Sequence, residues 1–298
     1  MCSLRCRISV FTRREHILIM ELSQKRYGLN AFQLKVIALV FMTFDHIAYF
    51  MSGIIDVPFW FNLIGRLSAP IFIFMVANGF RYTSDRVAYM RRLYFWSVVM
   101  SIGNFIANKY FPHPCGNMLM FNIFATMFYI VFYLYFIDRA KVYKSSGKLA
   151  KMSLCILAMV APFAIDGIMF FMMSRGTVTS WFTIFSFFLP SPLLVEGGIC
   201  WIGLGIGFFF FMDDRKKLSA FYTAMSAIFL INALPEGISF ENLFILNYQW
   251  SMILALPLIL MYNQAKGRGM KNLFYIYYPA HIYLLLITAR YVYPLLVS

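Results

Sequence analysis

The chain has 298 residues, of which 61% are hydrophobic and only 13% charged, and its mean hydropathy is +0.72. That composition excludes a soluble globular domain and points to an integral membrane protein. The 26 Lys and Arg against 12 Asp and Glu would suggest a nucleic-acid binder if the chain were soluble, but they sit in short connections between apolar runs, where they report topology first.

Residues 1–30 are basic, and their longest apolar stretch, "ILIM", is too short for a signal-peptide core. They read as a cytosolic arm, with Met20 an alternative start to Met1. From residue 31 to 298 the chain reads as a single helical domain, with no repeat of obvious period and no long linker. Apolar runs predict spanning helices near 32–53, 59–80, 92–109, 118–137, 150–173, 193–212, 218–234, 243–262 and 272–293. The expected fold is therefore an all-α, polytopic transmembrane bundle of about nine spans, give or take one. Spanning strands are not expected, because the runs lack a two-residue alternation. The stretch 177–192 ends in two prolines and is short, which suggests an interfacial or re-entrant piece.

Basic residues set the orientation. Twenty-two lie before the first span or in alternate connections, and the other four are Arg66, Lys109, Arg175 and Arg290. This predicts a cytosolic N-terminus, an outward C-terminus and residence in the cytoplasmic (inner) membrane. The five cysteines include Cys155 and Cys200 inside candidate spans, so no disulfide framework and no metal site are expected.

Ionisable groups at membrane depth are expensive and are functional candidates by default. Asp45, His46, Arg66 and His281 stand out. His46 is 11 residues beyond Lys35, roughly 16 Å along a helix axis, and Asp45 and Arg66 are nearly equidistant from the loop around Asp56. His281 lies ten residues into the last span. The four should share one layer if their helices are neighbours. Successive side chains on a helix diverge by about 100°, so Asp45 should pair with Arg66 while His46 points into a cavity as a base. The plainer alternative is a structural ion pair beside satisfied core histidines.

The hairpin "NGFRYTSDRVAYMRRLYF" carries Arg81, Arg86, Arg91 and Arg92 among tyrosines. It suits the phosphates of a nucleotide-like donor, or simply holds the loop inside. The loop 261–275 adds Lys266, Arg268 and Lys271 around two glycines but is not a P-loop. His113 and Cys115 lie in an outer turn. Glu196 precedes Gly197 and Gly198 at the mouth of a span, and Glu236 and Glu241 lie in an outer loop; all three are candidates for acceptor contact or ordinary solvated residues.

The runs "LKVIALVFMTFDHIAYFM", "IGRLSAPIFIFMVANGFRYTSDRVAYMRRL" and "MYNQAKGRGMKNLFYIYYPAHIYLLL" together resemble the TraX family, whose named member acetylates the N-terminus of a conjugative pilin. That family is similar in turn to polytopic membrane acyltransferases. The resemblance implies a helical bundle, acetyl-CoA as donor, an exported protein such as a pilin, or a glycan, as acceptor, and His46 as the central catalytic group. Arg81, Arg86, Arg91, Arg92 and Lys271 would then serve the donor. Where the family usually has "YNG", this chain has Tyr262-Asn263-Gln264. A proton-coupled transporter using the same Asp, His and Arg is the alternative, and a non-catalytic assembly partner is a third reading. No paired halves with broken helices are visible, which favours the enzyme.

Overall fold

The computed structural model describes residues 28–176, 180–269 and 271–297. The expected arm, up to residue 27, and the choice between Met1 and Met20 lie outside the described residues. Those described are all-helical, with one isolated bridge between Leu29 and Tyr262. In chain order the helices are α1 (Ala31–Met51), α2 (Trp60–Gly65), α3 (Ser68–Tyr82), α4 (Arg86–Tyr110), α5 (Ile123–Ser145), α6 (Leu149–Ser174), α7 (Ser180–Phe188), α8 (Gly198–Phe211), α9 (Arg215–Ala233), α10 (Leu256–Leu260) and α11 (Lys271–Val297). A π-helical turn (Glu241–Leu246) and a 3-10 segment (Tyr248–Ala255) lead into α10.

Among the described residues five stretches are long and apolar enough to cross a membrane: Ala31–Met51, Trp60–Tyr82, Ile123–Ser145, Leu149–Ser174 and Arg215–Glu236. The other expected spans are also helical, with a different character. The 25 residues of α4 are long enough but more polar, through its arginines, and the 27 residues of α11 are long enough to cross. In contrast, α8 and the Tyr248–Leu260 stretch are apolar but short. The nine-residue α7 is only about 13 Å long, too short to cross.

Three expected boundaries move for local reasons. The second span breaks at Arg66 and Leu67, because Pro70 has no N–H to give to the Arg66 carbonyl four residues back. The start of α5 shifts to Ile123, where the Asn122 side chain accepts from the Ala125 N–H at 3.0 Å and caps the helix. Residues 190–197 form a turn before α8, since Gly197 and Gly198 both take positive φ, 70° and 53°.

The buried centre is built from α1, α3, α5, α8 and α11. Leu34, Ile71, Ile130 and Leu204 are completely buried there, and Ile282 nearly so. At the edge, α6 buries only Cys155, Pro162 and Asp166 and presents the rest of its apolar surface outward, as a lipid-facing helix does. One end of the bundle is laced by the start of the chain. The Asn30 side chain and the Gln33 side chain exchange hydrogen bonds with each other's backbone N–H, a capping box that starts α1. Leu29 and Ala31 bond to Met261 and Ala265 in the loop before α11. Gln264 in that loop has φ +63°, the left-handed region that favours glycine, and it occupies the position of the expected "YNG" glycine.

Candidate active site

The polar layer forms because two helices bring their ionisable side chains against neighbours that answer them. Arg66, at the α2–α3 break, points two donors, Nε at 3.1 Å and Nη2 closer still, at Asp45 Oδ1 on α1. Its third donor group, Nη1, reaches Gln249 Oε1 at 3.3 Å, and its guanidinium lies 5.3 Å from the centre of the Tyr248 ring. This close approach depends on Gly65, where an added Cβ would sit 2.4 Å from Asp45 Oδ1. The ion pair is thus clamped between α1 and the break, with no room for a side chain.

One residue on, His46 faces a different neighbour. Its Nδ1 lies 2.7 Å from His281 Nε2, although the two residues are 235 positions apart. His281 Nδ1 lies 2.7 Å from the Tyr277 carbonyl, which can only accept, so that nitrogen carries the proton. In the neutral pair His281 Nε2 is then the acceptor, His46 Nδ1–H the donor, and His46 Nε2 keeps its lone pair. The Tyr277 ring stacks on His281 with centroids 4.9 Å apart, and its hydroxyl lies 2.7 Å from Thr43 Oγ1, which donates to the Leu39 carbonyl. The histidine pair is therefore held in one tautomer and orientation.

His46 lines a small pocket of about 30 Å³ with Asp45, Arg66, Ser68, Glu196 and Trp201. A second cavity, of about 670 Å³, runs from the α1, α3 and α4 ends toward this layer. Met42, Phe72, Ile123 and Tyr278 line both spaces, so they form a common wall. The mouth of the larger cavity carries Lys35, Arg92 and Lys266, its sides are apolar and aromatic, and its volume is that of a small-molecule site.

The arginine hairpin disperses. Arg92 lines the cavity and hydrogen-bonds Tyr275. Arg81 pairs instead with Asp213 at 2.6 Å, and Arg86 with Asp138 at 2.7 Å. Arg91 is exposed and does not line the cavity. Lys271 opens α11, and its side chain lies outside what is described. His113 is committed to packing, donating from Nε2 to the Phe50 carbonyl at 2.7 Å and accepting the Cys115 N–H at Nδ1.

Glu236 and Glu241 lie apart from the pocket, Glu236 accepting from Asn247. Glu196 is different. Its turn is fastened on three sides: the Thr126 hydroxyl donates to the Glu196 carbonyl at 2.7 Å, the Tyr129 hydroxyl to the Pro190 carbonyl, and the Leu193 N–H to Asp166 at 3.4 Å. A Cβ at Gly197 would sit 2.0 Å from the Trp201 ring, so glycine sets the angle at which Glu196 enters the wall. Glu196 shares the pocket lining with Asp45, Arg66 and Tyr278. Asp166 was not among the sequence candidates, although an acid in the apolar run 150–173 was the signal for it.

The family described as "TraX protein" matches residues 31–289, spanning every element of the site. A curated relative, "Probable fimbrial assembly protein FimC, serogroup H1" of Dichelobacter nodosus, is 36% identical over 75 residues, which are 24% of this chain and 29% of that protein. The matched segment is thus less than a third of the relative's length. No solved structure matches the chain.

Proposed function

The chain belongs to the TraX family, and on that premise we propose that it is a membrane acetyltransferase. In this reading it moves an acetyl group from acetyl-CoA to an amine or hydroxyl of an exported acceptor, a pilin-type protein or a glycan. The observation that carries the proposal is the oriented His46–His281 pair beside a small pocket that shares a wall with a larger cavity whose mouth is basic.

The cavity suits the donor. Lys35, Arg92 and Lys266 at the mouth would meet the phosphates of CoA, and the apolar sides would hold the pantetheine arm with its thioester against the shared wall. Acetyl-CoA is too polar to cross lipid, so the mouth faces the cytosol and the protein resides in the cytoplasmic membrane with its N-terminus inside. The acceptor enters from the other face. The printed name of the fimbrial relative is in keeping with a pilus-related acceptor.

At the reacting centre the acceptor's lone pair attacks the thioester carbonyl carbon and a new C–N or C–O bond forms. Its proton passes to His46 Nε2, the C–S bond breaks, and the leaving thiolate takes the proton back. His281 keeps His46 Nδ1 engaged, so the basic nitrogen faces the pocket. Arg66 supplies positive potential to the carbonyl oxygen as charge develops, and Asp45 holds Arg66 in place.

The test uses purified protein in detergent with radiolabelled acetyl-CoA. Native protein should transfer label or release CoA, and His46→Ala should not. Equal turnover in both would overturn the role of His46, and no binding of CoA would overturn the donor and favour a transporter. Cysteines placed at positions 85 and 240 should label from the cytosolic and outer faces respectively, and the reverse would overturn the orientation.

A further inference from the structure

The acid–base step above uses one proton acceptor, and the pocket wall holds a second. Glu196 lines the same small space as His46, yet that step leaves it idle. Its neighbours are accounted for. Arg66 gives two donor groups to Asp45 and one to Gln249, and among the described residues Glu196 forms no salt bridge. Tyr278, in the same wall, accepts from the Ile123 N–H at 3.3 Å. A carboxyl group is therefore set in a polar and aromatic wall beside the Asp45–Arg66 pair, with acceptor capacity to spare. The fastened turn and two left-handed glycines hold it there.

The chemistry of an amine acceptor needs such a group. A terminal amine has a pKa of about 8 and reaches the pocket mostly as an ammonium ion. It must lose one proton before its lone pair can attack, and a second when the new bond makes the nitrogen cationic again. One imidazole nitrogen cannot take both. We propose that Glu196 binds the acceptor's ammonium group and takes its first proton, so that the pocket favours amines that arrive charged. This inference rests on the acetyl transfer proposed above.

The step balances. The ammonium gives a proton to the Glu196 carboxylate and becomes a neutral amine. The amine attacks the thioester carbon, the proton of the new C–N adduct passes to His46 Nε2, and the C–S bond breaks. The CoA thiolate takes the imidazolium proton, and Glu196 releases its own to water. One ammonium and one thioester give one amide, one thiol and one proton.

The experiment compares two acceptors on the full-length protein in detergent with acetyl-CoA as donor: a short peptide with a free terminal amine, and hydroxylamine, which is uncharged at neutral pH. For Glu196→Gln, KM for the peptide should rise roughly tenfold or more, while turnover of hydroxylamine stays within about twofold of native. Glu196→Asp should recover part of the peptide KM. Equal losses with both acceptors would overturn the proposal, because a merely structural role moves them together, and so would an unchanged peptide KM. If native protein acetylates hydroxylamine but shows no use of the charged peptide, Glu196 recognition fails while acetyl transfer stands. If native protein acetylates neither, the transferase reading falls and takes this inference with it.

Discussion

The layer around His46 and the hairpin that carries Arg81 to Arg92 are both rich in charge, and they spend it in opposite ways. In the layer, side chains from α1, the α2–α3 break and α11 answer one another inside the bundle, Arg66 with Asp45 and His46 with His281, and Glu196 from the turn before α8 joins them in the pocket wall. In the hairpin Arg81 and Arg86 each meet one partly exposed carboxylate, Asp213 and Asp138, Arg91 stays exposed, and Arg92 is the one of the four that lines the large cavity. The difference follows from solvent. A charge at membrane depth is costly until it meets a partner, so each polar group in the layer is answered by another inside the bundle. A surface arginine stays hydrated and gains little from any one contact.

The sharpest way to break this contrast is to remove the base. His46→Ala should lower acetyl transfer by about 100-fold or more, and His281→Phe, which leaves His46 Nδ1 without its acceptor, by roughly tenfold; turnover of CoA measures both. If His281→Phe matched native rates, the pair would be packing and no more. Next comes Gly65→Ala. The new Cβ would overlap Asp45, and prying α1 from the break should cost roughly 1–3 kcal/mol, read as a lower thermal midpoint in detergent together with reduced turnover.

The hairpin should answer more gently and unequally. Arg92→Ala should raise KM for acetyl-CoA roughly tenfold through loss of a charged phosphate contact, whereas Arg91→Ala should leave it within about twofold. Equal effects would show that the hairpin acts by bulk charge alone. The smallest effect is a gain. Gln264→Gly should stabilise the loop by about 1 kcal/mol, because it relieves a side chain held at φ +63°, and thermal unfolding would register the rise.

Much of this was legible along the chain. Hydropathy and charge predicted an all-helical membrane protein, and the placement of Asp45 and Arg66 about the first hairpin predicted their meeting. Other features were hidden for reasons of geometry. The break at Arg66 required weighing one proline against an unbroken apolar run. Glu196 looked like an ordinary residue at the mouth of a span, because nothing local reveals that Gly197, Gly198 and the hydroxyls of Thr126 and Tyr129 turn it inward. Asp166 passed unnoticed for want of a partner in sequence, since the Leu193 N–H it serves is 27 residues away.

By itself, then, the sequence determined the helical class, the polar residues that lipid would make expensive and the end of the bundle that gathers positive charge, because periodicity, burial cost and basic loops act through near neighbours. Only the tertiary structure decided which imidazole nitrogen keeps its lone pair, which arginine reaches the cavity and which carboxylate joins the pocket. Those outcomes depend on contacts between helices up to 235 residues apart, and the chain order of side chains carries no record of where they will meet.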